Sequence, residues 1–101
     1  MIYVIAAVTT KEGKLQDWLK IFKKVQPLVH KEDGCYSYTV HTPASCFGEP
    51  ADPNRAVILE KWESLEHLAA HIKTDHMVAF FAEVKDLLNG TTDVQILDED
   101  I

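Results

Sequence analysis

Two cysteines, ten basic residues and no long hydrophobic run leave little room for three common ways of working. Cys35 and Cys46 build no disulfide framework, and their separation matches no zinc-ligand pair, so no metal site is expected from them. Reduced thiols in a cytoplasmic protein are the plain expectation, with a bridge across 35–46 the less ordinary alternative. Ten Lys and Arg against sixteen Asp and Glu give a net charge of −6, and no basic cluster is present to neutralise phosphates. Nucleic-acid binding is therefore disfavoured. The opening segment is apolar only from Ile2 to Val8, lacks a basic leader and runs at once into a helical pattern. It reads as a strand, not a signal peptide, and nothing approaches the length needed to cross a membrane.

Proline and glycine are also scarce, at four each, and three of the prolines fall between Pro43 and Asn54. That stretch, PASCFGEPADPN, reads as one long loop, because no strand or helix interior tolerates it. With 101 residues there is room for a single core, so one domain over 1–101 is expected.

The remaining chain is strongly patterned. Residues 2–10 carry apolar side chains at both parities, Ile2, Val4, Ala6 and Val8 against Tyr3, Ile5 and Ala7, which indicates a strand buried on both faces. Leu15, Trp18, Leu19, Phe22, Val25 and Val29 recur at helical spacing, with Pro27 predicting a kink or an early end near Gln26. Asp33-Gly34 marks a turn, and Cys35 to Thr42 reads as a second strand. Arg55 to Glu63 reads as a third strand, with Ala56, Ile58, Glu60 and Trp62 on one face and Val57, Leu59 and Lys61 on the other. Ser64 and Thr74 are candidate caps for two successive helices. The first should turn Leu65, Leu68, Ala69 and Ile72 inward, and the second Met77, Phe80, Phe81, Val84, Leu87 and Leu88. Asn89-Gly90 stops the second helix, and Asp93 to Leu97 forms a last strand.

The order β-α-β-β-α-β defines an α+β fold of the ferredoxin-like, split-βαβ kind. Such a sheet carries its helices on one face. The other face is also apolar here, which predicts a homodimer formed by packing two sheets together.

The stretch Glu60-Lys61-Trp62-Glu63-Ser64-Leu65, followed by His71, His76 and Phe80, is the most distinctive of the chain. This pattern, E-x-W-x-S and then H-x-x-x-x-H-x-x-x-F, resembles the antibiotic biosynthesis monooxygenase family of dimeric α/β barrels, whose bacterial members include quinol monooxygenases. Glu12-Gly13-Lys14, Gly34-Cys35 with Tyr38, and Asp52-Pro53-Asn54 extend the resemblance over nearly the whole chain. It implies a pocket between sheet and helices and a cofactor-independent monooxygenase, in which a quinol, phenol or anthrone-like aromatic loses a proton and its anion reduces O2. His71 and His76 have the intrinsic pKa for the base. Tyr38, Glu60 and Trp62 are candidates to hold a substrate oxygen, and Phe80 with Phe81 to form an apolar wall. Glu60 is expected to be hydrogen-bonded, salt-bridged or at the pocket rim, with Arg55 and Lys73 as candidate partners, and His30, His41 and His67 read as solvated. Five residues apart on one continuous helix, His71 and His76 would diverge by about 140° and could share no metal.

Two other readings stay open. The same barrel can serve as a non-catalytic small-molecule-binding or stress-response protein, or as an isomerase of a small phosphorylated ketone, although no Arg/Lys phosphate clamp is evident. Haem-degrading relatives carry an Asn on the first strand, which IYVIAAV lacks.

Overall fold

The computed structural model describes residues 1–101. Four strands and three helices follow the predicted order: β1 Ile2–Thr9, α1 Leu15–His30, β2 Cys35–His41, β3 Arg55–Trp62, α2 Leu65–Ile72, α3 Asp75–Val84 and β4 Asp93–Asp98, with a 3-10 turn at Lys85–Leu87 after α3. The strands form one antiparallel sheet in the order β2-β3-β1-β4. β1 and β3 hold its centre, and no helix is long and apolar enough to cross a membrane.

Alternation decides which side chains meet the helices. Ile2, Val4, Ala6 and Val8 of β1, Ala56, Ile58, Glu60 and Trp62 of β3, and Tyr38 of β2 are all buried. Against them α1 packs Trp18, Phe22, Val25 and Val29, and α3 packs Met77, Phe80 and Val84. Stacked rings run through this layer, Trp18 on Phe22 and Phe22 on Tyr38, each pair with centroids 5.3 Å apart. Burial of each large apolar side chain contributes about 1.5–3 kcal/mol, so this aromatic seam is a principal source of cohesion.

Pro27 does not end α1, contrary to expectation. The helix continues to His30, because Val29 is fully buried beyond the proline and two side chains of the last turns grip the sheet edge. Gln26 Nε2 and His30 Nε2 donate to the carbonyl of Tyr38 at 2.9 and 3.0 Å. These bonds also occupy a free carbonyl on edge strand β2, so His30 is not a purely solvated residue.

The caps form as predicted: Ser64 Oγ accepts from the His67 N–H and Thr74 Oγ1 from the Met77 N–H, each at 3.3 Å. The inward face of α2 is narrower than its apolar pattern suggests. Leu68 and His71 are its buried residues, while Leu65 and Ile72 are about half exposed, since the helix is only two turns long and covers little of the sheet. Strand β4 has no buried residue, because it lies at the sheet edge beyond the helices. Cys35 and Cys46 are free thiols. The 43–54 loop contains a tight turn at Cys46–Glu49, with Phe47 at φ 52° and almost wholly exposed.

One glycine positions the site. Gly34, at φ 77°, ends the α1–β2 turn, and a Cβ there would collide with the ring of His67 on α2. Its carbonyl accepts from the Glu63 N–H at 2.9 Å. The turn carrying Glu32 is thus pressed against α2. Gly34→Ala is expected to cost about 2 kcal/mol or more, from left-handed strain plus the collision. Gly90→Ala, where nothing lies within 4 Å, should incur the strain alone. Urea denaturation of the two variants compares them, and equal losses would contradict the close packing.

Candidate active site

A cavity of about 330 Å3 lies between the helix-facing side of the sheet and helices α2 and α3. An apolar cavity of about 150 Å3 already holds benzene, so this one has room for a larger aromatic molecule. Fifteen of its eighteen wall residues are hydrophobic, which makes the polar positions conspicuous: Glu60, His71 and Thr92, with the phenol of Tyr38. Phe80 is a buried part of the wall, whereas Phe81, Ile72, Val94 and Ile96 are each about half exposed at its rim.

His71 stands at the end of α2, 3% exposed, its ring 4.6 Å from that of Trp62 and 5.4 Å from that of Tyr38. Its Nδ1 donates to the carboxylate of Glu32, 3.0 Å from Oε1 and 2.9 Å from Oε2. A carboxylate only accepts, so this contact places the ring proton on Nδ1 and a lone pair on Nε2. Nε2 has no partner in the chain yet is not sealed by packing, and the open space His71 borders is the cavity. Burial holds the imidazole below its usual pKa, against the upward pull of Glu32, so it is a neutral base near pH 7.

His76 lies outside the cavity. Its Nε2 donates to Glu32 Oε2 at 2.7 Å, the oxygen His71 also contacts, and its side chain is 24% exposed beside α1. The break at Thr74 turns α3 away from α2, so two histidines that a continuous helix would separate meet on one carboxylate. Sequence reasoning missed Glu32, which lies just before the Asp33-Gly34 turn.

Glu60 lies mid-strand on β3, 8% exposed, with Tyr38 and Val4 as cross-strand neighbours. Neither Arg55 nor Lys73 reaches it. Its partner is the Trp62 indole, whose Nε1–H donates to Oε1 at 2.9 Å. The alternation that puts Glu60 and Trp62 on the same face also brings them together. Burial pushes the carboxyl up to about 7, a rise the indole hydrogen bond opposes and the charge of Glu32 reinforces. The same burial lifts the Tyr38 phenol far above its ordinary range, so it stays a neutral hydroxyl. Trp62 is completely buried and acts on the cavity through the groups it touches, Glu60 and His71.

His67, read from the sequence as solvated, is a strut. It contacts Ser64 Oγ at 2.6 Å and lies 3.3 and 3.4 Å from the carboxylates of Asp33 and Glu63.

An antiparallel sheet with helices on one face, enclosing an apolar cavity with a carboxylate-held histidine, defines a small ferredoxin-like protein with a ligand-sized site. The sequence profile described as antibiotic biosynthesis monooxygenase matches residues 1–83. The chain is 39% identical over 89 residues to "Probable quinol monooxygenase YgiN" of Escherichia coli K12, covering 84% of this chain and 86% of that one. Among solved structures, a protein of Methanosarcina mazei Go1 superposes with a TM-score of 0.88 at 26% identity, covering 98% of this chain and 92% of its own. Rv0793 of Mycobacterium tuberculosis superposes with a TM-score of 0.86 at 23% identity, covering 99% and 95%. The chain belongs to the antibiotic biosynthesis monooxygenase family.

Proposed function

We propose that this protein is a cofactor-independent monooxygenase of the quinol-monooxygenase type, which oxidises a quinol, phenol or anthrone-like aromatic with O2. The observation that carries the reading is His71, fixed through Nδ1 by Glu32 and presenting an unprotonated Nε2 to an apolar cavity. The aromatic body of the substrate lies against Phe80 and Met77, with Phe81 at the entrance, and its hydroxyl reaches His71. Nε2 takes the phenolic proton, Glu32 stabilises the resulting imidazolium, and the substrate anion transfers an electron to O2 without flavin or metal. Tyr38 and Glu60 hold the substrate oxygens, Trp62 holds Glu60, and His76 steadies Glu32 from the solvent side. The dry wall favours this step, because it leaves the anion unsolvated and reducing. No Lys or Arg lines the cavity, which disfavours a phosphorylated ketone as substrate.

The assembly is proposed to be a homodimer through the open face of the sheet, folding as one domain per subunit in the cytoplasm, where Cys35 and Cys46 remain reduced. Across that face Ile5 pairs with Leu59, Ala7 with Val57 and Tyr3 with Leu97. Leu59 and Leu97 are 39% and 42% exposed, and a second sheet would cover them.

Oxygen-electrode assays with a panel of hydroquinones and anthrones are expected to show substrate-dependent uptake. His71→Ala should lower kcat by about 100-fold or more. Glu32→Gln should approach the same loss, since an amide can donate to Nδ1 and shift the ring proton to Nε2. His76→Ala should cost less than about tenfold, as its contact is indirect. Full turnover in His71→Ala would defeat the assignment of the base, and tight aromatic binding without any turnover would instead make the protein a binding module. Sedimentation of Leu59→Lys should show monomer where the wild type is dimeric, and an unchanged dimer would exclude this face.

A further inference from the structure

Glu60 is the one ionisable carboxyl in the cavity wall, and base chemistry at His71 does not use its proton. Oε1 is occupied by the Trp62 indole, whereas Oε2 makes no hydrogen bond within the chain and is not sealed by packing. The open space that Glu60 borders is the cavity, so Oε2 belongs to its surface. No Lys, Arg or His forms an ion pair with it. The groups around it are Tyr38 and the Cys35 thiol from β2, Trp62 on its own strand, His71 from α2 and the Glu32 carboxylate from the α1–β2 turn. The nearest imidazole is committed to Glu32. A carboxyl in this setting holds its proton until the pH approaches about 7, because ionising it leaves an unpaired charge in an apolar space. Below about pH 7 the cavity thus presents a neutral imidazole on the helix side and a protonated carboxyl on the sheet side, a pairing that suits two proton transfers in one cycle.

We propose that Glu60 is the acid of the reaction, donating its proton to the oxygen of the substrate peroxide that forms when O2 combines with the ring. This rests on the oxygenase reading above. After His71 takes the phenolic proton, one electron passes from the anion to O2. The two radicals join, forming a C–O bond at a ring carbon that bears hydrogen, ortho or para to the phenolic oxygen. The terminal oxygen of that peroxide carries the negative charge and takes the Glu60 proton. The O–O bond then breaks as the ring carbon loses its hydrogen as a proton, which returns to the Glu60 carboxylate. The C–O bond becomes a carbonyl, and the departing hydroxide takes the proton held by His71. One aromatic molecule and one O2 give one quinone and one water, and both side chains regain their starting states.

Glu60→Gln keeps the size and an acceptor for the Trp62 indole but carries no transferable proton. The proposal expects kcat for oxygen uptake to fall by about 100-fold or more, while the affinity for substrate under anaerobic conditions falls far less, because the amide still offers the substrate oxygen a hydrogen bond. Glu60→Asp should recover part of the rate. In the wild type, kcat should decline as pH rises through about 7, the value to which burial lifts this carboxyl, and that decline should vanish in Glu60→Gln.

A second measurement is independent of turnover. The folded value lies above the ordinary 4.5, so the stabilising effect of the protonated carboxyl is fully present below about 4.5 and lost as pH rises through about 7. The melting temperature of Glu60→Gln should therefore gain on that of the wild type between pH 5 and pH 8. A constant difference would overturn the proposal, as would wild-type turnover in an oxygen-consuming Glu60→Gln. An inactive wild type that still shows the pH-dependent difference would sink the oxygenase reading, and the step assigned to Glu60 with it.

Discussion

The site depends on one carboxylate held between two imidazoles. Glu32 accepts from His71 and His76 through the same oxygen, at 2.9 and 2.7 Å, and thereby joins the end of α1 to the end of α2 and the start of α3. Each of the three groups would be expensive to place here alone, since a carboxylate at a helix C-terminus opposes the helix dipole and a buried imidazole needs its N–H satisfied. Together they fix a ring orientation that packing by itself leaves free. The close approach of Gly34 to His67, and the struts from His67 to Asp33 and Glu63, hold the turn where this bond can form.

The low polarity of the cavity does the rest. The same apolar wall lowers His71 and raises Glu60, because burial penalises whichever form is charged. One environment therefore favours the neutral form of both groups, the imidazole over its cation and the carboxylic acid over its anion. Trp62 links the two, with its ring against the imidazole and its indole N–H on the carboxyl. The fold supplies a scaffold on which many activities are built, and what distinguishes this chain is the polar cluster within an apolar wall.

The strand and helix order was legible in the sequence, because each element has a clean period and a chemically distinct boundary. Ser64 and Thr74 cap the helices they precede, and the alternation through Glu60 and Trp62 predicted their common face. The course of α1 past Pro27 was not, since it is decided by Val29 and by two bonds to a carbonyl on β2. Exposure of Leu65 and Ile72 was equally hidden: periodicity locates a helix face but not how much sheet lies beneath it. The largest omission was Glu32, which lies 39 residues from His71 and 44 from His76. Its one local sign was an acidic residue where a helix C-terminus prefers a cation. That Glu60 is hydrogen-bonded at the cavity was expected, but its donor was not, because charge complementarity pointed to Arg55 or Lys73 while the donor is a neutral indole two residues away.

Nitrogen NMR of the histidine rings, with 15N label and assignment by His71→Ala, tests the arrangement most directly. At pH 7 the wild type should show His71 as a neutral ring protonated at Nδ1, with Nε2 bearing the lone pair, and Glu32→Gln should reverse that pattern. A His71 that is protonated at Nε2 in the wild type, or charged at that pH, would contradict the account.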